Sequence, residues 1–224
     1  MILAAGRGER MRPLTDTVPK PLLEAGGRSL IARHVDALVG AGIRDIVINH
    51  AWLGARIEAA LGDGADFGAR IRYSPEASAL ETAGGIATAL PLLGDDPFVV
   101  VNGDIFCDFD FRRMARIIAR MRAADLLAWC VLVPNPAHNR AGDFGIDGDR
   151  LLAQAPEQLT FAGIGAYSPA LFAGIAPGTR ARLAPLLREA ADRGRAGAEI
   201  HAGRWTDVGT PQRLAELDLE LRAQ

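Results

Sequence analysis

The sequence predicts an α/β protein with a mixed, mostly parallel sheet and helices on both faces. Three observations predict it. Short apolar runs alternate with segments of helical spacing from the N-terminus onward. Several of those runs are β-branched throughout, as strands buried on both faces tend to be. Glycines close the helical segments where C-terminal stops are needed. Strand–helix alternation of this kind places ligands at the carboxyl ends of the strands. The loops after Ala5, His50, Ser74 and Val101 are therefore the expected site.

Residues 2–5 form a first strand that ends at Gly6. Residues 29–41 carry Leu30, Ile31, Val35, Leu38 and Val39 at helical spacing, and Gly42 supplies the stop. Ile46, Val47 and Ile48 mark a buried strand over 45–50. A helix is expected over 52–61, closed by Gly62, and an alternating strand over 70–74. Residues 86–93 read as a helix behind the Gly84-Gly85 pair, with Thr82 as its cap. A strand over 98–101 runs into Asn102-Gly103-Asp104. The helix over 111–122 sets Met114, Ile117, Ile118 and Met121 on one side, with Asp108 and Asp110 as caps. Strands follow over 126–133, 143–147 and 160–167, with a turn at Gly148-Asp149, then a helix over 183–193. Thr210 as N-cap and Pro211 at the first helical position open a last helix. The less regular second half is expected to extend the sheet as a second wall of one cleft, in a single domain.

Composition narrows the function. The chain has 224 residues, a net charge of -2, 49% hydrophobic and 23% charged residues. That is the balance of a globular domain, and it lacks the basic footprint of a nucleic-acid binder. Cys107 and Cys130 are too few for a disulfide framework and read as buried thiols in a reducing cytoplasm. No apolar run approaches a membrane span, and no signal peptide is visible. Of the 25 cationic residues, 24 are Arg and one is Lys, at position 20. A lysine kept in so arginine-rich a chain is a candidate for chemistry that arginine cannot do, weighed against chance survival at the surface.

The loop Gly6-Arg7-Gly8-Glu9-Arg10-Met11-Arg12-Pro13 brings two glycines and several cations together. Backbone N–H groups in such loops point at phosphate. Neither common nucleotide motif fits. Met11 replaces the third glycine of a dinucleotide fingerprint, and no Gly-Lys-Ser/Thr follows the turn. What remains suits a triphosphate or, blandly, a solvated basic loop. Asp104 ends the valine-rich strand and Asp207 precedes Val208-Gly209-Thr210-Pro211. One such aspartate is usually a turn former. Two at matching ends of a sheet suit Mg²⁺, which takes few carboxylates plus phosphate oxygens. The polar segment 81–85 could meet a base or phosphate through its amides. The four histidines show no metal spacing, and no Ser or Cys sits in a nucleophile context.

Taken jointly, Leu3 to Pro13, Pro19-Lys20-Pro21-Leu22, Val101-Asn102-Gly103-Asp104 and Trp205 to Pro211 resemble the signature of the sugar-1-phosphate nucleotidyltransferases across essentially the whole chain. The resemblance implies their Rossmann-like three-layer α/β/α sandwich, with a nucleotide-binding half over about 1–110 and a sugar-binding half over about 111–224. It implies Mg²⁺ as cofactor, with UTP or another nucleoside triphosphate and a sugar 1-phosphate as partners. It further implies a cytoplasmic protein, monomeric or a small homo-oligomer, that engages neither nucleic acid nor membrane. The segments 48–54, 73–76, 80–82 and 142–144 look most like the branch that joins UTP to N-acetylmuramic acid 1-phosphate in peptidoglycan recycling. Other branches use mannose 1-phosphate with GTP, or glucose 1-phosphate with UTP or dTTP.

Carried over residue by residue, the resemblance places Ala5, Gly6, Arg7 and Gly8 against the nucleotide phosphates. Arg10 clamps the leaving pyrophosphate and Lys20 meets the reacting phosphate. Asp104 and Asp207 hold the metal, Asp104 counting also as catalytic. Glu76, Glu81, Thr82 and Gly84 lie toward the nucleotide. Asn102, Asp143, Gly163 and, as a weaker candidate, Glu157 lie toward the sugar. Ala83 departs from the third glycine common in relatives. The C-terminal extensions of bifunctional relatives are missing, so no acetyltransferase activity is expected. A catalytically silent nucleotide-sugar-binding subunit is the alternative of another class, disfavoured by the presence of Arg10, Lys20, Asp104 and Asp207 together. An NAD(P)-dependent oxidoreductase is disfavoured by the missing third glycine.

Overall fold

A computed structural model describes residues 1–223. In chain order its elements are β1 (Ile2–Ala4), β2 (Glu24–Ala25), β3 (Arg28–Ser29), α1 (Leu30–Gly40), β4 (Asp45–His50), α2 (Gly54–Leu61), β5 (Arg70–Pro75), α3 (Glu81–Leu93), β6 (Phe98–Asn102) and β7 (Ile105–Cys107). They continue as α4 (Arg113–Ala123), β8 (Ala128–Val133), β9 (Gly145–Asp147), β10 (Arg150–Leu152), β11 (Thr160–Tyr167), α5 (Leu183–Asp192), β12 (Ala196–Ile200), β13 (Trp205–Asp207) and α6 (Pro211–Arg222). The chain forms two compact units. The first comprises Met1–Leu80, Asn102–Phe111 and the segment from Arg204 onward; the second comprises Glu81–Val101 and Arg112–Gly203.

In the first unit the strands run β5-β4-β1, all parallel, with Ile2 opposite Ile48 and Asp45 opposite Arg70. Ile46, Val47 and Ile48 are all buried, as a strand covered on both faces requires. Helix α1 starts where the Ser29 hydroxyl accepts from the Ala32 N–H and buries Leu30, Ile31, Val35 and Leu38. Each such side chain contributes roughly 1.5–3 kcal/mol by leaving water. Met11, Leu23, Ala25, Leu30, Val208 and Leu217 form one buried cluster, so the last segment of the chain completes this core. Strands β7 and β13 pair antiparallel beside it, with Asp207 opposite Ile105.

In the second unit the strand order is β6-β11-β8-β12-β10-β9. Strand β8 is buried along its whole length, antiparallel to β11 and parallel to β12. The strands of the two units thus mix parallel and antiparallel pairing, and the α/β class is as the sequence predicts. Strand β11 slips register against β8 between Phe161 and Gly165, around the left-handed Gly163.

Several elements differ from the sequence reading. Helix α3 begins at Glu81 rather than at 86, so Thr82 lies inside the first turn and not at the cap. Gly84 and Gly85 are buried within that helix. Helix α4 starts at Arg113, and its cap position, Arg112, makes no side-chain cap bond. Strand β12 was not foreseen. Its Ala-Gly-Ala core has low β propensity, yet a Cβ on Gly197 would sit 2.3 Å from the Trp129 ring. Packing against tryptophan explains that glycine.

Candidate active site

The first unit holds the glycine loop, the lysine and both metal candidates. Strand β1 is three residues long, and its end is held by a side chain: the Ala4 N–H donates to Asn49 Oδ1 at 3.0 Å. The Asn49 amide then donates to Glu76 Oε1 at 2.6 Å, and Glu76 Oε2 accepts from the Leu80 N–H at 2.9 Å. Glu76 is buried and spends both oxygens on the protein.

Beyond Ala5 the loop opens. A Cβ on Gly6 would meet no atom within 4 Å, so packing does not demand glycine there. Gly8 differs. It is left-handed at φ 67°, and a Cβ would lie 3.0 Å from Thr15 Cγ2 and 3.1 Å from Lys20 Cβ. Buried Thr15 donates its hydroxyl to the Gly8 carbonyl at 2.8 Å, and its own carbonyl accepts from Trp52 Nε1 at 3.0 Å. The Arg7 guanidinium stacks on the same Trp52 ring, 4.4 Å from its centroid. Arg10 is exposed, and Arg12 pairs with Asp16 at 3.0 Å.

Pro13 and Pro19 bar a continuous helix, and the segment proceeds in 3₁₀ turns at Leu14–Asp16 and Lys20–Leu22. The second of these buries Lys20 and aims its Nζ at Asp104 Oδ2, 2.5 Å away. The lysine side chain is 8% exposed and the aspartate 37%, so one partner is sealed in and the other faces outward. Gly103, just before Asp104, donates to the Leu3 carbonyl at 2.8 Å. A Cβ there would lie 2.7 Å from that carbonyl oxygen, so only glycine lets this backbone lie against β1. Asn102 is half-buried at the end of β6.

Asp207 ends β13, and the next residue, Val208, donates its N–H to the Asp104 carbonyl at 3.0 Å. The two aspartates thus stand at one end of the β7–β13 ladder. Asp207 Oδ2 accepts from Arg213 Nη1 at 2.8 Å. No group of three or more His, Cys, Asp or Glu suited to a metal occurs among the described residues. Two carboxylates fit a hard divalent cation that completes its shell with water and phosphate oxygens. Each also pairs with a cationic side chain, Asp104 with Lys20 and Asp207 with Arg213.

The remaining candidates belong to the second unit. Glu81 adopts a left-handed backbone, φ 62°, unusual for a residue with a side chain, and its Oε1 accepts from Arg180 Nη2 at 2.8 Å. The Ala83 and Gly84 N–H groups both donate to the Ala181 carbonyl, at 3.0 and 3.1 Å. These amides, read from sequence as open to a base or phosphate, are therefore taken up by the segment around residue 181. Asp143 Oδ2 accepts from Asn139 Nδ2 at 3.1 Å and from the Phe161 N–H at 2.9 Å, which fixes the carboxylate against β11. Gly163 lies buried in the β11 bulge, and Glu157 is exposed on a bend.

Sequence reasoning missed Asn49, Trp52, Arg180 and Arg213. Asn49 had a signal, a polar residue inside an otherwise β-branched strand. So did Arg213, a cation in the first turn of a helix, where the dipole favours acids.

The nucleotidyl transferase family model matches residues 1–224, and the chain belongs to that family. It is 53% identical over 220 residues to N-acetylmuramate alpha-1-phosphate uridylyltransferase of Neisseria meningitidis, covering 96% of this chain and 95% of that one. It is 32% identical to the Caulobacter vibrioides protein of the same name, covering 99% and 95%. A mannose-1-phosphate guanyltransferase of Aspergillus fumigatus is 42% identical over 118 residues, 51% of this chain and 32% of that one. Among solved structures, a putative glucose-1-phosphate thymidylyltransferase from Bacillus anthracis superposes with a TM-score of 0.88 at 24% identity, covering 100% of this chain and 94% of that one. That likeness establishes the Rossmann-like nucleotidyltransferase fold. The protein is a sugar-phosphate nucleotidyltransferase, of a family that binds a nucleoside triphosphate and a sugar 1-phosphate and generally uses a divalent metal. Among the described residues no helix is long and apolar enough to cross a membrane.

Proposed function

We propose that this protein transfers a uridylyl group from UTP to N-acetylmuramic acid 1-phosphate, giving UDP-N-acetylmuramic acid and pyrophosphate, as a cytoplasmic step of peptidoglycan recycling. The observation that carries the substrate reading is the 53% identity to the Neisseria uridylyltransferase over nearly the full length of both chains.

An oxygen of the sugar phosphate attacks the α-phosphorus of UTP. The bond from that phosphorus to the oxygen bridging toward the β-phosphorus breaks, and pyrophosphate leaves with the electron pair. The nucleophile is already an anion, so no general base is needed. The barrier lies in joining two polyanions and in charge gathering on the α-phosphate and leaving group. Positioning and fixed positive charge are the means that lower such a barrier.

Residues 1–110 serve the nucleotide and 111–224 chiefly the sugar. The amides of Ala5, Gly6 and Gly8 and the Arg7 guanidinium receive the phosphates; the open space over Gly6 supports this. Arg10, exposed on the same loop, clamps pyrophosphate. Lys20 carries its charge to the reacting phosphate, while Asp104 and Asp207 would hold Mg²⁺. When bound, Mg²⁺ supplies neutralisation of phosphate charge. Glu81, Thr82 and Gly84 serve the nucleotide side by resemblance alone; the Ala83 and Gly84 amides are engaged by the Ala181 carbonyl, and the Gly84 carbonyl accepts from the Thr88 hydroxyl. Glu76 supports that side through Asn49 and Leu80. Asn102, Asp143, Gly163 and Glu157 serve the sugar, Asp143 held in place by Asn139 and Phe161.

The test is a matrix of UTP, GTP and dTTP against the 1-phosphates of N-acetylmuramic acid, mannose and glucose, scored by pyrophosphate release with Mg²⁺. UTP with N-acetylmuramic acid 1-phosphate should dominate. A preference for GTP with mannose 1-phosphate would sink the substrate reading and keep the reaction class.

A further inference from the structure

The first turn of α6 contains no acidic residue, although the N-terminal end of a helix favours negative charge. Its third position, where a capping box would place Glu or Gln, is Arg213. The Thr210 hydroxyl still caps the helix by accepting from the Arg213 N–H at 3.3 Å. The helix dipole therefore does not account for arginine at this position.

The side chain turns back along the cap. Nε lies 3.4 Å from Thr210 Oγ1, and Nη1 donates to Asp207 Oδ2 at 2.8 Å. Both members of the pair are largely enclosed, at 18% exposure for Arg213 and 23% for Asp207. Gly209, just before the cap, lies against the same contact. A Cβ on Gly209 would lie 2.6 Å from Arg213 Nη2 and 3.1 Å from Asp207 Oδ1. Gly209 has no left-handed backbone that would otherwise call for glycine.

We infer that Arg213 is the positioning residue of Asp207: it locks the carboxylate at the end of β13 in the orientation that receives the divalent cation, and Gly209 is glycine to leave that arginine room. This rests on the assignment of Asp207 as a metal carboxylate. Partners of this kind fix a ligand's rotamer before the metal arrives, and their loss commonly weakens metal binding by about 10–100-fold.

The probe is Mn²⁺ alone, titrated into the full chain by electron paramagnetic resonance, with a thermal melt of each variant. Arg213→Gln should weaken Mn²⁺ binding by roughly 10-fold or more while the chain stays folded. Arg213→Lys, which keeps the charge but not the fork, should fall between the two. Gly209→Ala retains both charges and displaces the arginine, so it should weaken Mn²⁺ as Arg213→Gln does. Turnover of Arg213→Gln should recover largely at high metal concentration, a change in metal dependence and not in kcat. Equal or tighter Mn²⁺ binding by Arg213→Gln, or a lowered melting temperature with unchanged binding, would overturn the inference and leave Asp207 as a metal carboxylate. Wild-type binding that Asp207→Ala leaves intact would overturn that assignment, and the role of Arg213 with it.

Discussion

Replacing Lys20 by arginine tests the site more sharply than removing it. The substitution keeps the charge and follows the chain's own habit, since every other side chain of its 25 Lys and Arg residues is arginine. The space around Lys20 does not allow it. The lysine stem lies under Gly8, where an added Cβ would already stand 3.1 Å from Lys20 Cβ and 3.3 Å from Cδ. Its Nζ sits 2.5 Å from Asp104 Oδ2 with the side chain 8% exposed. A planar guanidinium is wider than an ammonium and approaches a carboxylate as a fork, so it cannot reuse this channel. Overpacking of this sort costs about 1–3 kcal/mol. The more telling loss is in rate: with Lys20 at the reacting phosphate, as proposed, moving its charge off forfeits electrostatic stabilisation worth about 10²–10³ in kcat. Lys20→Ala should lose at least as much rate. Its stability loss should be about 1–2 kcal/mol, well short of the full cost of breaking a buried pair, because Asp104 is partly exposed and can be hydrated. The assay is initial-rate pyrophosphate release at saturating UTP and N-acetylmuramic acid 1-phosphate, beside a thermal melt. Lys20→Arg turning over at the wild-type rate with an unchanged melting temperature would refute the argument.

Asp104→Ala should lower kcat by about 10² or more with little change in fold, checked by the same assay and by circular dichroism. Asn49→Ala removes the donor to buried Glu76 and the acceptor for Ala4, and should cost roughly 2–3 kcal/mol in urea unfolding. Gly103→Ala drives a Cβ against the Leu3 carbonyl and should destabilise by about 1–3 kcal/mol in the same experiment. Burial holds the His34 imidazole down at about 4, against 6.5 in its ordinary state. The unfolded chain therefore takes up the proton first on acidification. The contribution is complete above pH 6.5 and is lost as pH falls from 6.5 through 4, by up to about 3 kcal/mol. Unfolding free energies across that window should slope less steeply in His34→Gln than in the wild type.

What was legible in the sequence follows from the length and chemistry of each segment. Helix α1 and strands β4 and β8 carry long periodic or β-branched runs, and both their type and their place were readable. Strands β7 and β13, at three residues each, are too short for any period to show, although their pairing brings Asp104 and Asp207 together. The start of α3 was hidden by its own glycines. Gly84 and Gly85 suggest a loop, yet they are buried in a helix that opens on a left-handed glutamate. Composition alone singled out Lys20, and the motif order gave the glycine loop. The supporting contacts of Asn49, Trp52 and Arg213 depend on partners far along the chain, and no local pattern encodes a partner.

The β7–β13 ladder also sets when the first unit can close. Asp104 leaves the ribosome long before Asp207, and Val208 and Leu217, which complete the core around Met11 and Leu23, come later still. The first unit therefore cannot close while its chain is being made; its opening segments must wait for the last ones, although nascent domains usually fold from the N-terminus forward. A transcript cut short before β13 would yield a polypeptide with the glycine loop, Lys20 and Asp104 but without the second carboxylate or the residues that seal the core. Such a fragment would lack part of its core, fold poorly and so be open to proteolysis.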